Sequence, residues 1–111
     1  MKTQKYPPSR TIAVDVDGTL HKNGILNMRV VKFCERQKAN GFSLMLWSAH
    51  GKEYAQAAAE KYGITHLFRD IIAKPGYVLD DQGWGWIKYT QIIRTLHEAP
   101  NEKLTGCPPN A

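Results

Sequence analysis

Apolar residues are arranged along the chain in two kinds of pattern, short continuous runs and stripes at helical spacing. The runs at residues 11–16 and 42–47 are short and rich in β-branched or aromatic residues, which predicts two buried strands. Between them, Asn27 can cap a helix that continues to about Ala39 and stops at Gly41. The polar residues around Gly24 predict a tight loop or small hairpin before that helix.

The second half of the chain repeats the alternation. A turn at residues 48–51 leads into a predicted helix that Gly63 closes, and short strands are predicted at 67–73 and 77–79. The inward stripe of this helix is Ala55, Ala58, Ala59 and Tyr62. A last helix is predicted over 86–97, facing inward with Tyr89, Ile92, Ile93 and Leu96.

Strands that alternate with helices predict βαβ units and a parallel sheet. We therefore expect a single α/β domain over residues 1–111, Rossmann-like and three-layered, with about four strands and helices on both faces of the sheet. Its ordered core is expected at about 10–97, followed by a polar C-terminal tail at about 98–111. So small a sheet leaves exposed edges, which would favour association into a homo-oligomer.

Fifteen Lys and Arg residues against ten Asp and Glu give a net charge of +5, which suits either anionic ligands or a solubilising surface. The basic residues are scattered, so a nucleic-acid partner is compatible with the charge but has no clustered patch to support it. No apolar run approaches the roughly 20 residues needed to cross a bilayer, and residues 1–10 lack the apolar centre of a secretory signal. Two unpaired thiols, Cys34 and Cys107, fit a reducing compartment, so we expect a cytoplasmic protein without a membrane partner.

The candidate chemistry lies where predicted strands end. Asp15 and Asp17 are two residues apart, so a strand would place both on one face. The carboxyl ends of parallel strands form one rim, where open α/β sheets bind ligands. The other polar residues at or just after strand ends are Ser48, Lys74, Asp80 and Asp81. Paired acids at such a rim are costly to keep charged unless a cation compensates them, which indicates a divalent metal and a phosphate-bearing substrate.

This order of motifs resembles the haloacid dehalogenase-like (HAD) superfamily of aspartyl-phosphate phosphatases. The resemblance consists of Asp-Val-Asp-Gly-Thr at 15–19, Ser48, Lys74 followed by proline, and Asp-Asp at 80–81, and it spans roughly residues 10 to 95. It implies that Asp15 is the nucleophile that accepts the phosphoryl group. It also implies that Asp17 acts as general acid and base and offers its backbone carbonyl to the metal.

The resemblance assigns phosphate binding to the other motif residues. Ser48 would donate a hydrogen bond to a phosphoryl oxygen, supported by backbone amides from Ala49 onward at the start of the next helix. Lys74 would neutralise the charge that develops on the phosphate and on Asp15. Thr19 either helps to position Asp17 or stabilises a tight turn. Taken alone, Ser48 is also an ordinary helix cap and Lys74 an ordinary surface lysine.

The proposed cofactor is Mg²⁺. Its candidate ligands are Asp15, Asp17, Asp80 and Asp81. Adjacent acids on a strand point in opposite directions, so one of Asp80 and Asp81 would bind the ion directly and the other would support it. Carboxylate and carbonyl oxygens suit Mg²⁺, whereas Zn²⁺ would require Cys or His at short spacing, which the sequence lacks.

Three further features are weaker. His21 either contacts substrate or lies on the surface, and His50, one turn from Ser48, is a candidate phosphate contact. Trp84 and Trp86 either stack on a base or sugar or form a plug under the last helix.

The gaps between motifs are short. Residues 20–47 and 49–73 hold only a loop, helices and strands, so neither gap has room for the cap domain of larger HAD proteins. An open site would suit phosphate on a macromolecule, or a small substrate under a lid from a neighbouring subunit. The leading hypothesis is an Mg²⁺-dependent phosphomonoesterase. The alternatives are a HAD-like binding or regulatory protein with little turnover and a nucleic-acid-end phosphatase.

Overall fold

A computed structural model describes residues 9–105 of the chain. In chain order the elements are β1 (Thr11–Asp15), β2 (His21–Lys22), β3 (Ile25–Leu26), α1 (Met28–Ala39), β4 (Ser43–Ser48), α2 (Lys52–Lys61) and β5 (Asp70–Ala73). Two short 3₁₀ helices lie at Thr65–Leu67 and Glu102–Thr105.

The strands form a three-stranded parallel sheet and a separate hairpin. The sheet has the order β1-β4-β5, with Val14 opposite Leu46 and Leu46 opposite Ile71. β2 and β3 pair antiparallel in the region where the sequence predicts a tight loop or small hairpin, and the turn residues Asn23 and Gly24 both have positive φ. The predicted small parallel α/β arrangement is therefore confirmed for three strands.

Helix α1 begins and ends where the sequence predicts. The Asn27 side chain accepts hydrogen bonds from the backbone N–H groups of Arg29 and Val30, which would otherwise lack partners at the helix start. At the other end the backbone turns through Gly41 at φ 91°. This left-handed conformation favours glycine and ends the helix before β4.

Burial alternates along the sheet and identifies the covered face. Leu44 and Leu46 are buried, whereas their neighbours Met45 and Trp47 are half-buried. The crossovers from β1 to β4 and from β4 to β5 run in the same direction across the sheet. Because crossovers between parallel strands are right-handed, α1 and α2 lie on the same face. The prediction of helices on both faces is therefore wrong for residues 9–105, which form two layers.

The missing layer is explained by two elements that do not form. Residues 77–79 make no fourth strand and residues 86–97 make no helix. The 77–79 run has only three residues between the Pro75-Gly76 pair and the two acids, and proline cannot donate to a strand ladder. A twelve-residue helix needs a surface to pack against, and without the fourth strand it has none.

We refer to residues 11–73 as the α/β core and to residues 74–105 as the C-terminal segment. In the C-terminal segment, side chains take the place of a backbone ladder: the Glu98 carboxylate accepts from Arg94 N–H, and the Gln91 side chain accepts from Asn101 N–H. The segment is attached to α1 through Glu102, whose carboxylate pairs with Arg36 and accepts from Gln37. Part of the predicted polar tail at 98–111 therefore contacts the core, and its residues 106–111 lie outside the described residues.

The core contains one of the two cysteines. Cys34 is a free, buried thiol on α1, and burial raises its pKa to about 12, so it is a packing residue. Cys107 lies outside the described residues. Within the described part of the chain, residues 9–105, no helix is both long and apolar enough to span a bilayer.

Candidate functional site

Three of the predicted site positions meet at the carboxyl end of the parallel sheet. Asp15 is the last residue of β1 and lies opposite Trp47, and Ser48 is the last residue of β4. Lys74 directly follows β5, and its backbone N–H donates to the Ser48 carbonyl oxygen at 2.9 Å. Because adjacent parallel strands end at the same rim, residues far apart in sequence are brought together here.

Asp15 is half-buried and its carboxylate is electrostatically coupled to the rest of the rim. Burial raises the pKa of Asp15 above its ordinary value, and the negative charge of Asp17 acts in the same direction. The Lys74 ammonium and the backbone N–H of Val16 lower the pKa but do not cancel the effect of burial. Such a carboxylate has lost part of its hydration and gains from a nearby cation.

Asp17 lies just beyond β1, where the chain turns away from the sheet. The turn passes through Gly18 at φ 83°, and Leu20 N–H donates back to the Val16 carbonyl at 2.9 Å. The Asp17 carboxylate, 47% exposed, accepts from the Tyr54 hydroxyl at 2.6 Å and lies 2.9 Å from His21 Nε2. These contacts, the one from Tyr54 first, lower the pKa of Asp17.

Ser48 is buried and hydrogen-bonded, unlike an ordinary surface serine. It is 2% exposed, and its Oγ accepts from the His50 backbone N–H at 3.0 Å, which leaves its own hydroxyl hydrogen to donate elsewhere. Ala49 is exposed beside it, and α2 then begins after Gly51 with no side-chain cap. Uncapped N–H groups at a helix start bind anions well.

Thr19 and Lys74 lie in different parts of the site, Thr19 in the turn after β1 and Lys74 after β5. Thr19 is half-buried and its backbone N–H donates to the Val16 carbonyl, so it belongs to the turn that carries Asp17. Lys74 is exposed, and its Nζ lies 5.8 Å from the centre of the Trp47 ring. Its ammonium therefore remains on the face of the sheet that carries Asp15, the face without helices.

The other two predicted acids form no cluster of three metal-binding side chains with these residues within residues 9–105. Asp80 and Asp81 lie on an exposed part of the C-terminal segment, where Asp80 Oδ1 accepts from Gln82 N–H at 2.7 Å. Across residues 9–105, no three His, Cys, Asp or Glu side chains are placed so as to hold a metal ion together. The two acids follow a strand only in the sequence prediction, since residues 77–79 form none.

A second polar group, formed by His21, His50, Tyr54 and Tyr62, surrounds Asp17, and the sequence analysis assigned neither tyrosine to the site. His21 Nδ1 is 2.6 Å from the Tyr62 hydroxyl, and His50 Nε2 is 3.8 Å from Asp17 Oδ2. The interpretation of His21 as a surface residue is wrong, because its side chain is only 13% exposed. Tyr54 was not predicted, although Tyr54, Ala58 and Tyr62 at spacing i, i+4, i+8 lie on one side of α2, which was the available signal.

The tryptophans lie apart from this group. Trp84 and Trp86 form a tilted pair with ring centres 5.7 Å apart, and both are exposed. With no helix over 86–97 to cover, the interpretation of these residues as a plug under that helix is wrong.

Comparison with known proteins adds one relative. No protein-family model matches the chain. No solved structure matches it. A protein of Archaeoglobus fulgidus, described as an uncharacterized protein, is 33% identical in an alignment of 73 residues, and the match covers 57% of this chain and 21% of that protein. The chain thus spans about a fifth of the length of this relative. Its description names no activity, so a functional proposal must come from the site.

Proposed function

We propose that the protein is an Mg²⁺-dependent phosphomonoesterase that acts through an aspartyl-phosphate on Asp15. The observation that supports it most is the meeting of Asp15, Ser48 and Lys74 at one rim, with Asp17 two residues beyond the nucleophile. A nucleophile, a proton carrier, a hydroxyl donor and a cation are the groups that phosphoryl transfer requires. The motifs resemble those of the HAD superfamily in the same order.

The first half of the reaction transfers the phosphoryl group to the protein. An Asp15 carboxylate oxygen attacks phosphorus, and the bond between phosphorus and the leaving oxygen breaks. The leaving oxygen takes a proton from the Asp17 carboxyl. The Ser48 hydroxyl and the Lys74 ammonium hold the phosphoryl oxygens and offset their negative charge.

The second half returns Asp15 to its carboxylate. Asp17 takes a proton from a water molecule, the water oxygen attacks phosphorus, and the bond from phosphorus to Asp15 breaks to release inorganic phosphate. The hydrogen bonds from Tyr54 and His21 lower the pKa of Asp17, which favours the ionised form that this half requires.

The donors at the rim fit Mg²⁺. The half-buried Asp15 carboxylate has lost part of its hydration, and the Asp17 carbonyl would supply a second oxygen. Mg²⁺ commonly binds through one or two carboxylates and keeps several waters, so two protein oxygens are enough to begin a site. Asp80 and Asp81 remain candidates to complete it. When bound, the ion would offset charge on the phosphoryl oxygens.

The substrate class follows from the absence of an insertion in the described core. Residues 20–47 and 49–73 form the hairpin, the two helices and strands of the core, so the rim has no cap of its own within 9–105. Phosphate carried by a macromolecule, including a nucleic-acid end, can reach such a rim, as can a small ester. A cytoplasmic location and association into a homo-oligomer remain predictions.

A panel of phosphate esters, including p-nitrophenyl phosphate, tests the proposal. We expect turnover with Mg²⁺, loss of turnover with EDTA, and a fall of about 10⁴-fold or more for Asp15→Asn. Asp70→Asn is the matched control, because Asp70 is an exposed acid at the other end of β5. Acid-quenched protein should carry phosphate on an acyl linkage that hydroxylamine cleaves, in the wild type but not in Asp15→Asn.

A binding protein with little turnover is the second candidate. It is favoured by the lack, within residues 9–105, of three His, Cys, Asp or Glu side chains placed to hold a metal ion together. Absence of turnover across the panel, combined with Mg²⁺-dependent binding of a phosphate mimic such as beryllofluoride, would make this the better description.

A further inference from the structure

The Asp17 carboxylate is held by contacts that a turn residue does not need. It lies at the surface, so burial does not fix its orientation. Nevertheless the Tyr54 hydroxyl donates to Oδ1 at 2.6 Å, and His21 Nε2 lies 2.9 Å from the same oxygen. Both partners therefore act on Oδ1. Oδ2 faces His50, whose Nε2 is 3.8 Å away.

His21 is itself fixed by a third residue. Its Nδ1 is 2.6 Å from the Tyr62 hydroxyl, and the Tyr62 ring meets the imidazole edge-on with centres 5.5 Å apart. If Nε2 carries the hydrogen and donates to Asp17, Nδ1 is left as the acceptor for the Tyr62 hydroxyl. The chain of contacts therefore fixes both the orientation and the tautomer of His21.

The partners come from separate parts of the core. His21 lies on the β2 strand of the hairpin, whereas Tyr54 lies in the first turn of α2 and Tyr62 follows its last residue. Eight residues of helix separate the two tyrosines by about 12 Å. One helix thus supports Asp17 both directly and through His21, and rotation of the carboxylate would break the contacts of Oδ1 with both Tyr54 and His21.

We propose that Tyr54, His21 and Tyr62 are positioning residues for Asp17: they anchor Oδ1 and leave Oδ2 to exchange the proton with the leaving group and with water. This inference rests on the proposed function, since it assigns a task to the proton carrier of that reaction. Proton transfer at a positioned group contributes about 10²- to 10⁴-fold to rate, and a carboxylate that turns away loses part of that contribution.

Removing single hydroxyl groups tests the proposal. We expect Tyr54→Phe to lower kcat on a phosphate ester about tenfold and Tyr62→Phe to lower it by less. KM should stay unchanged, because Ser48 and Lys74 bind the phosphate. The matched control is Tyr89→Phe, which removes a hydroxyl from a tyrosine 55% exposed in the C-terminal segment. Equal kcat values for Tyr54→Phe, Tyr62→Phe and Tyr89→Phe would overturn the proposal.

A double-mutant cycle separates positioning from general damage to the fold. In an Asp17→Asn background, adding Tyr54→Phe should change kcat by less than twofold, because the group that it positions no longer carries the proton. A tenfold loss that persists in that background would mean that Tyr54 acts elsewhere and would also overturn the proposal.

A measurement without substrate distinguishes this inference from the proposed function. The ¹⁵N resonances of the His21 ring should show the hydrogen on Nε2, and Tyr62→Phe should shift the Nδ1 resonance. A hydrogen on Nδ1 in the neutral ring would overturn the positioning role even if the protein is an active phosphatase. Absence of turnover in the wild type would instead overturn the proposed function, and the role assigned to these residues with it.

Discussion

The α/β core and the C-terminal segment contain similar apolar residues, but the core buries many of them whereas the segment leaves them exposed or half-buried. In the core, Val16 and Leu46 are completely buried between the sheet and the helices. In the C-terminal segment, residues 74–105 include none that are buried, and Tyr77 and Leu79 are almost fully exposed. Apolar composition alone therefore does not produce a core.

The difference comes from what each apolar residue can pack against. The strands β1, β4 and β5 each have a parallel neighbour, and α1 and α2 pack on the sheet, so backbone hydrogen bonds and apolar burial support each other. The C-terminal segment begins with Lys74 and Pro75, and Pro75 has no N–H to continue a strand ladder beyond β5. The candidate residues are divided between the two regions: Asp15 and Ser48 belong to the core, whereas Lys74, Asp80 and Asp81 belong to the segment.

The largest effect that we expect in this comparison is on stability. Leu46→Ala should lower the free energy of unfolding by about 2–5 kcal/mol, because it removes a completely buried side chain and leaves a cavity. Leu79→Ala, on a side chain 102% exposed, should change it by less than about 0.5 kcal/mol. Urea unfolding followed by circular dichroism measures both.

Leu79→Ala decides whether the C-terminal segment differs from the core in solution. A cost above about 1 kcal/mol for Leu79→Ala would mean that the C-terminal segment buries its apolar residues in solution. The contrast between the two regions would then be wrong, whatever value Leu46→Ala gives.

Local sequence signals were enough to predict most of the core. The asparagine cap, the glycine after α1 and the short apolar runs predicted α1, α2 and the strands of the parallel sheet to within a few residues, because each signal acts on its own neighbours. The same reasoning was wrong for residues 77–79 and 86–97, because their apolar patterns become a strand and a helix only with a tertiary partner. Their periodicity contains no information about whether that partner exists.

The candidate site divides in the same way. The positions of Asp15, Ser48 and Lys74 follow from strand ends in a parallel sheet, which sequence order can predict. The contacts of Asp17 with Tyr54, and of His21 with Tyr62, join residues 37 and 41 positions apart that the tertiary fold brings together. Patterns in a single sequence contain no information about such side-chain pairings. The roles of Tyr54 and Tyr62 could therefore be identified only from the structure.

A smaller effect should reveal whether the two regions cooperate in metal binding. If an acid of the C-terminal segment completes the site, Asp80→Asn or Asp81→Asn should raise the Mg²⁺ concentration for half-maximal activity about tenfold, with kcat recovered at saturating Mg²⁺. Asp70→Asn, an exposed acid of the core, is the control. An unchanged Mg²⁺ dependence in both variants would confine the site to the core.

The smallest expected effect is the dependence of stability on the charge of Asp15, measured in metal-free protein. Burial raises the pKa of Asp15 above its ordinary value of 3.8, so the folded state binds the proton more tightly than the unfolded chain does. Unfolding free energy therefore falls as pH rises from 3.8 through the folded-state pKa, and this contribution is constant above it. Asp15→Asn removes the free-energy cost of holding a charged carboxylate in a half-buried position. The Tm of the variant should therefore exceed that of the wild type at pH 7, and the difference should shrink below pH 3.8. Thermal melts in EDTA across this range measure the difference.

An Asp15→Asn variant that is less stable than the wild type at pH 7 would contradict this prediction. It would mean that Lys74 stabilises the Asp15 carboxylate by more than burial destabilises it, and the site would then hold its charges without a metal.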